Sequence, residues 1–261
     1  MEAHSPLTGP LLFDVEEGWT GKGDGRGLVL LQPKVVLATG LVCSHEVFVR
    51  PPGYTDSAEG FYRRLARLPL PQRLPLEMQI LRVAVEAVKA EVPLALNVSA
   101  PMLLWREGRA FLEAVLRERA APLTLELLET DQTEPEALAQ PIERLARHGA
   151  RIALDDFGKG YSSLSLALAL PVLHEIKLDR AVVCSPRADD ALPALVELGA
   201  RLGVEVTAEH VDSPAVDARV RTHGVTCGQG FFYGAPTPVA AWGQASWTAE
   251  VEARAEQALR A

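Results

Sequence analysis

The chain has 261 residues, 48% of them hydrophobic and 23% charged, enough for a sizeable core in one α/β barrel or two small domains. A net charge of −8 argues against nucleic-acid polymers or acidic membranes as partners, and no apolar run of about 18 residues is present for membrane insertion. Three widely spaced cysteines without a CxxC pair, and an N-terminus without a signal-peptide pattern, point to free thiols, no cysteine-based zinc site and a cytoplasmic location.

Residues 1–27 carry Pro, acidic residues and a glycine-rich run from Gly21 to Gly27, and read as a lead-in with no chemistry of its own. The barrel-like region is expected over 28–261. Two β-rich runs, 28–37 and 41–49, are separated by three residues, so they must pair antiparallel; a parallel connection needs a dozen or more. Helical patterns follow at 58–66 and 76–90 across a Pro-rich connection. From Pro93 the rhythm is regular. Strand-like runs at 94–98, 123–128, 151–154, 175–178 and 204–208 each precede a helical pattern, at 102–119, 134–148, 162–170, 190–202 and 215–222. A short last strand at 225–229 leads to a helix in the Ala- and Glu-rich tail. Eight strands with helices after all but the first predict a TIM-like (β/α)8 barrel with an antiparallel first strand; an open doubly wound sheet is the alternative. No GxGxxG or GxxxxGK[ST] follows the first strand.

At the end of the fifth strand stand Asp155 and Asp156, then a glycine-punctuated turn and the candidate caps Ser162 and Ser163. Two carboxylates aimed at one point repel unless a cation lies between them. Taken alone, such a pair is more often one cap and one solvated side chain. The other strand ends shift that balance. Glu46, Asn97, Glu126, Lys177, Glu209 and Gln229 occupy corresponding places, so seven strands offer polar groups at one end. In a parallel barrel these ends share the face where chemistry is built, and a polar group in an apolar strand is costly unless something binds it. Carboxylates with one amide oxygen, without Cys or paired His, suit Mg²⁺ or Mn²⁺. Asp155, Asp156 and Glu209 beside Glu46 and Glu126 exceed one ion's needs. A two-ion centre, with ions about 3.5–4 Å apart, suits displacement at phosphorus. Lys177 is placed to polarise the attacking water, and Glu209 to bind the second ion or take the water's proton. Arg50, four residues after Glu46, is either a phosphate grip or a solvated charge before Pro51.

These residues resemble the EAL-domain family, bacterial cyclic-di-GMP phosphodiesterases. The match runs through Gln32-Pro33, Glu46-Val-Phe-Val-Arg50, Asn97-Val-Ser99, Glu126-Leu-Leu-Glu129 and Asp155-Asp-Phe-Gly-Lys-Gly-Tyr-Ser-Ser-Leu164. It continues with Lys177-Leu-Asp179, Ala208-Glu-His-Val-Asp212, Gln229-Gly230 and Gly234-Ala-Pro236. The resemblance implies hydrolysis of cyclic-di-GMP to linear pGpG with Mg²⁺ or Mn²⁺. By position, Glu46, Asn97, Glu126 and Asp155 look like ligands of one metal, and Asp155, Asp156 and Glu209 like those of a second. Lys177 looks like the water-positioning lysine. Arg50, Gln32, Asp179 and Gln229 look like substrate contacts or their supports, and Glu129 like the anchor of the loop after the fifth strand. A homodimer through that loop and the next helix is likewise implied.

Five positions depart from the family pattern. Glu46-Val47-Phe48 replaces Glu-Ala-Leu, Lys159 stands where Thr or a small residue is usual, His210 replaces glycine, and Asp212 shortens a Glu. None removes a metal ligand. The alternative readings are a cyclic-di-GMP receptor that signals through a partner, and a barrel lyase or isomerase that uses one Mg²⁺ to stabilise an enolate. Retained carboxylates weigh against the first; Asn97, Gln229 and Arg50 have no role in the second. With 27 residues ahead of the barrel, regulation is expected through oligomerisation, a domain or protein in trans, or expression level if the chain is complete.

Overall fold

The computed structural model describes residues 28–50, 65–128, 133–159 and 164–239. The lead-in, most of the helix expected at 58–66, Glu129, Ser162, Ser163 and the C-terminal helix lie outside the described residues.

Strand β1 (Leu28–Val36) turns back on β2 (Val42–Arg50), with Gln32 opposite Glu46. From β2 the sheet continues in parallel through β3 (Leu94–Ser99), β4 (Leu123–Leu128), β5 (Ala150–Phe157), β6 (Glu175–Leu178), β7 (Glu205–Ala208) and β8 (Cys227–Gln229). β8 then pairs antiparallel with β1, so the eight strands close into a barrel and the open-sheet alternative falls. A ninth strand, β9 (Thr237–Pro238), pairs with Leu30 and Leu31 of β1. Two residues carry no alternation, so nothing local marked it as a strand.

Period-two alternation sorts the side chains. Leu94, Leu96 and Val98 of β3, Leu123, Leu125 and Leu127 of β4, and Ile152 and Leu154 of β5 join the apolar layer between strands and helices. Each fully buried chain of this kind contributes about 2 kcal/mol. The intervening positions, including Asn97, Glu126 and Asp155, turn into the barrel.

The helices are α1 (Leu70–Ala87), α2 (Ala100–Leu104), α3 (Arg106–Glu118), α4 (Pro135–Arg147), α5 (Leu164–Ala169), α6 (Arg180–Val183), α7 (Ala188–Leu202) and α8 (Pro214–Thr222). α4 shows why such segments form. Pro135 opens it where no amide partner is needed, Glu136 sits in the first turn, and Arg144 and Arg147 lie in the last. Leu138, Ile142 and Leu145 are its buried stripe. Beyond it Gly149, at φ +94°, takes the left-handed turn that side chains resist, and its N–H bonds the Ala146 carbonyl.

Three assignments differ most from expectation. α1 starts at Leu70, six residues early, because Pro71 falls in the first turn, where a missing N–H costs nothing; Pro75 is accommodated inside. The helix expected at 102–119 is two, broken at the extended Trp105, with Ser99 Oγ capping the first through Met102 N at 3.3 Å. α6 was not expected; four residues are too few for a periodic signal.

Candidate active site

Lys177 stands on β6 with its side chain fully enclosed in the barrel. Its Nζ lies 2.8 Å from Asp155 Oδ1, 2.9 Å from Glu209 Oε1, 3.0 Å from Glu126 Oε2 and 3.2 Å from Glu46 Oε2. The strands bring these groups together by register. Asn97 pairs with Glu126 across β3 and β4, and its Nδ2 donates to Glu46 Oε1 at 2.7 Å. Gln229 Nε2 donates to Glu46 Oε2 at 2.6 Å and to Gln32 Oε1 at 3.3 Å, while Gln32 Nε2 reaches the Gly234 carbonyl at 3.1 Å. Glu46, Phe48 and Arg50 are two residues apart on β2 and so share its inward face, rising toward the mouth. Arg50 Nε is buried there without a hydrogen-bond partner.

The two aspartates separate. β5 has a register break between Leu154 and Phe157, and Asp156 adopts φ +50°. Asp155 enters the Lys177 cluster. Asp156 turns to a second, outer group, where its Oδ2 lies 3.3 Å from Lys159 Nζ. Asp179 faces the same group: its Oδ1 accepts from Ala181 N at 2.6 Å, capping α6, and its Oδ2 is 3.7 Å from Lys159 Nζ. Asp179 thus has a capping task beside the expected substrate contact.

The electrostatics are lopsided. Burial works against the charge of Lys177, but Asp155, Glu126, Glu209 and Glu46 outweigh it and hold its pKa well above the ordinary value. One ammonium cannot balance four carboxylates. Burial, reinforced by Glu46, pushes Glu126 far up; burial likewise raises Glu209 and Asp155. Asp156 is raised to about 6 by burial and by Asp155. Among the described residues no three ligating side chains are already disposed as an ion cage, since their oxygens converge on the ammonium instead. The donor set nevertheless fits a hard divalent cation. It is all oxygen and rich in carboxylate, and Glu126 Oε1 is buried with no hydrogen-bond partner.

A lower polar layer escaped the sequence reading. Lys34 Nζ meets Glu175 Oε2 at 2.5 Å, and Thr207 Oγ1 donates to Glu175 Oε1 at 2.6 Å, all buried. Both charges were legible by alternation, since Lys34 is two residues from Gln32 and Glu175 two from Lys177. The lysine holds the Glu175 carboxyl below its usual range against burial.

The family model for the EAL domain matches residues 23–236, most of the chain. The chain belongs to the EAL-domain family. Relatives of this EAL barrel include a probable cyclic di-GMP phosphodiesterase, PdeB, of Escherichia coli, 29% identical over 223 residues and covering 79% of the chain. Another is MucR of Pseudomonas aeruginosa, a bifunctional diguanylate cyclase/cyclic di-GMP phosphodiesterase, 31% identical over 259 residues and covering 91% of the chain. The chain spans 42% of PdeB and 36% of MucR. Among solved structures, the PaMucR phosphodiesterase in complex with c-di-GMP superposes with a TM-score of 0.66 at 26% identity, covering 83% of this chain and 94% of that one.

Proposed function

We propose that this EAL barrel is a metal-dependent phosphodiesterase that hydrolyses cyclic-di-GMP to linear pGpG. The observation that carries the reading is the convergence of four carboxylates, from β2, β4, β5 and the end of β7, on one lysine enclosed in the barrel. Relatives named as cyclic di-GMP phosphodiesterases support it.

Glu46, Asn97, Glu126 and Asp155 would hold one Mg²⁺ or Mn²⁺, and Asp155, Asp156 and Glu209 a second. When bound, such ions supply Lewis-acid polarisation of the phosphodiester and a more acidic water. The protein groups do the rest. Lys177, kept charged by its carboxylates, donates to the water oxygen and aims it at phosphorus. Glu209, whose carboxyl is raised by burial, either ligates or takes the proton the water loses. The water oxygen bonds to phosphorus as the P–O3′ bond breaks, and the proton the water gave up passes to the 3′ oxygen, which leaves as a hydroxyl. Arg50, with an unpartnered buried Nε at the mouth, grips a phosphate oxygen. Gln32 and Gln229 form an amide chain behind Glu46 that orients it toward the reacting centre. Asp179 contacts substrate from the outer group.

Incubating the purified chain with cyclic-di-GMP and Mn²⁺ or Mg²⁺ is expected to yield pGpG. Asp155→Asn should lower the rate at least about 100-fold, the scale of losing one charged catalytic contact. Tight binding in Ca²⁺ without turnover in Mn²⁺ would instead make the chain a receptor.

A further inference from the structure

The outer carboxylates carry their own lysine. Asp156 makes no contact with Lys177, the ammonium that gathers the other site carboxylates, and pairs with Lys159 instead. The position of that lysine is set by backbone. Lys159 N donates to the Asp156 carbonyl at 3.1 Å, closing a tight turn. Gly158, at φ +98°, lies against Val182 Cγ2 of α6, where any Cβ would collide with the valine. The turn is therefore seated on the helix whose N-cap is Asp179, and the ammonium returns beside the Asp156–Asp179 pair, 3.3 and 3.7 Å from their oxygens. The two carboxyls also hydrogen-bond each other. His210, on the residue after Glu209 and also left-handed at φ +53°, lies within electrostatic reach of Asp179. Two residues that depart from the family pattern, Lys159 and His210, thus both reach Asp179.

We propose that Lys159 is a tethered cation that competes with a divalent ion for the outer carboxylates, so that the centre fills in two well-separated steps. The inference rests on the metal-dependent reading above, in which Asp156 is a ligand of the second ion. Like charges a few ångströms apart repel even when partly screened, and Lys159 is half exposed, so the outer step should be weakened by about tenfold, not abolished. The inner step, built on Glu46, Asn97, Glu126 and Asp155, is untouched by this lysine.

Mn²⁺ titration of the full chain, followed by calorimetry and by the exchange-coupled electron paramagnetic resonance signal of a manganese pair, tests the proposal. The native chain should bind one ion, then a second at least about tenfold more weakly. Lys159→Thr should tighten the second step by about tenfold, leave the first unchanged and bring in the paired signal at lower Mn²⁺. Lys159→Gln should do the same, and Lys159→Arg should behave as native. Lys89→Thr, which removes an equal charge from the exposed stretch just after α1, should change neither step. Two equally tight steps in the native chain, or an unchanged second step in both Lys159→Thr and Lys159→Gln, would overturn the proposal. Absence of any Mn²⁺ binding to native and variants alike would overturn the metal-dependent reading with it.

Discussion

His45 illustrates how far one side chain's environment is set by its neighbours on a strand. It precedes Glu46, so alternation sends it the other way, out of the barrel interior, where burial lowers its pKa to about 4. The unfolded chain takes up that proton near pH 6.5, the folded one near 4. The neutral imidazole's contribution is complete above pH 6.5 and is lost as pH falls toward 4, up to roughly 3 kcal/mol. Urea unfolding at pH 7 and at 4.5 should show this loss in the native chain and much less of it in His45→Asn; equal loss in both would refute the assignment. Asp155 and Asp156 make the same point about chemistry. They are adjacent and identical in type, yet one lies against Lys177 and the other against Lys159, because successive strand residues face opposite ways and Asp156, at φ +50°, leaves the regular strand.

At the scale of elements, β1 and β6 each place two polar residues on the inward face, one at the mouth and one below. The lower pair, Lys34 and Glu175, lies under the Lys177 cluster and is electrostatically linked to Glu126 from both sides. Lys34→Met leaves Glu175 buried with only the Thr207 hydroxyl, and should destabilise the fold by about 3 kcal/mol. Adding Glu175→Leu should recover most of that loss, because the stranded charge, not the missing bridge, is the cost. Denaturant midpoints of native, single and double variants measure both terms, and a single variant as stable as native would refute the account. The hairpin of β1 and β2 also explains why Gln32 and Glu46 meet. Antiparallel pairing puts them opposite one another, and Gln229 reaches both from β8 on the other side of β1.

For the whole molecule, the barrel concentrates negative charge that its lysines do not balance. An ion that binds the folded chain and not the unfolded one stabilises the fold by mass action, about 2.7 kcal/mol at one hundred times its dissociation constant. Mn²⁺ should therefore raise the melting temperature by several degrees, a chelator should reverse the shift, and Glu126→Gln should diminish it. A melting temperature indifferent to Mn²⁺ at millimolar concentration would count against a metal centre in this EAL barrel. No helix among the described residues is long and apolar enough to cross a membrane.

Much of this architecture is local in origin and was readable from the chain. Alternating strand and helix signals predicted the barrel, and the three-residue turn after β1 forced its antiparallel start. The placement of Glu46, Asn97, Glu126, Asp155, Lys177, Glu209 and Gln229 at corresponding strand ends put them on one face. These follow from short-range patterns with periods of two and 3.6. Which oxygen meets which nitrogen was decided only by the closed barrel. Register between strands far apart in sequence brings four carboxylates onto Lys177. The packing of Gly158 on α6 seats the turn after β5 and brings Lys159 against the Asp156–Asp179 pair. Those contacts depend on distances across the barrel, which no local pattern encodes.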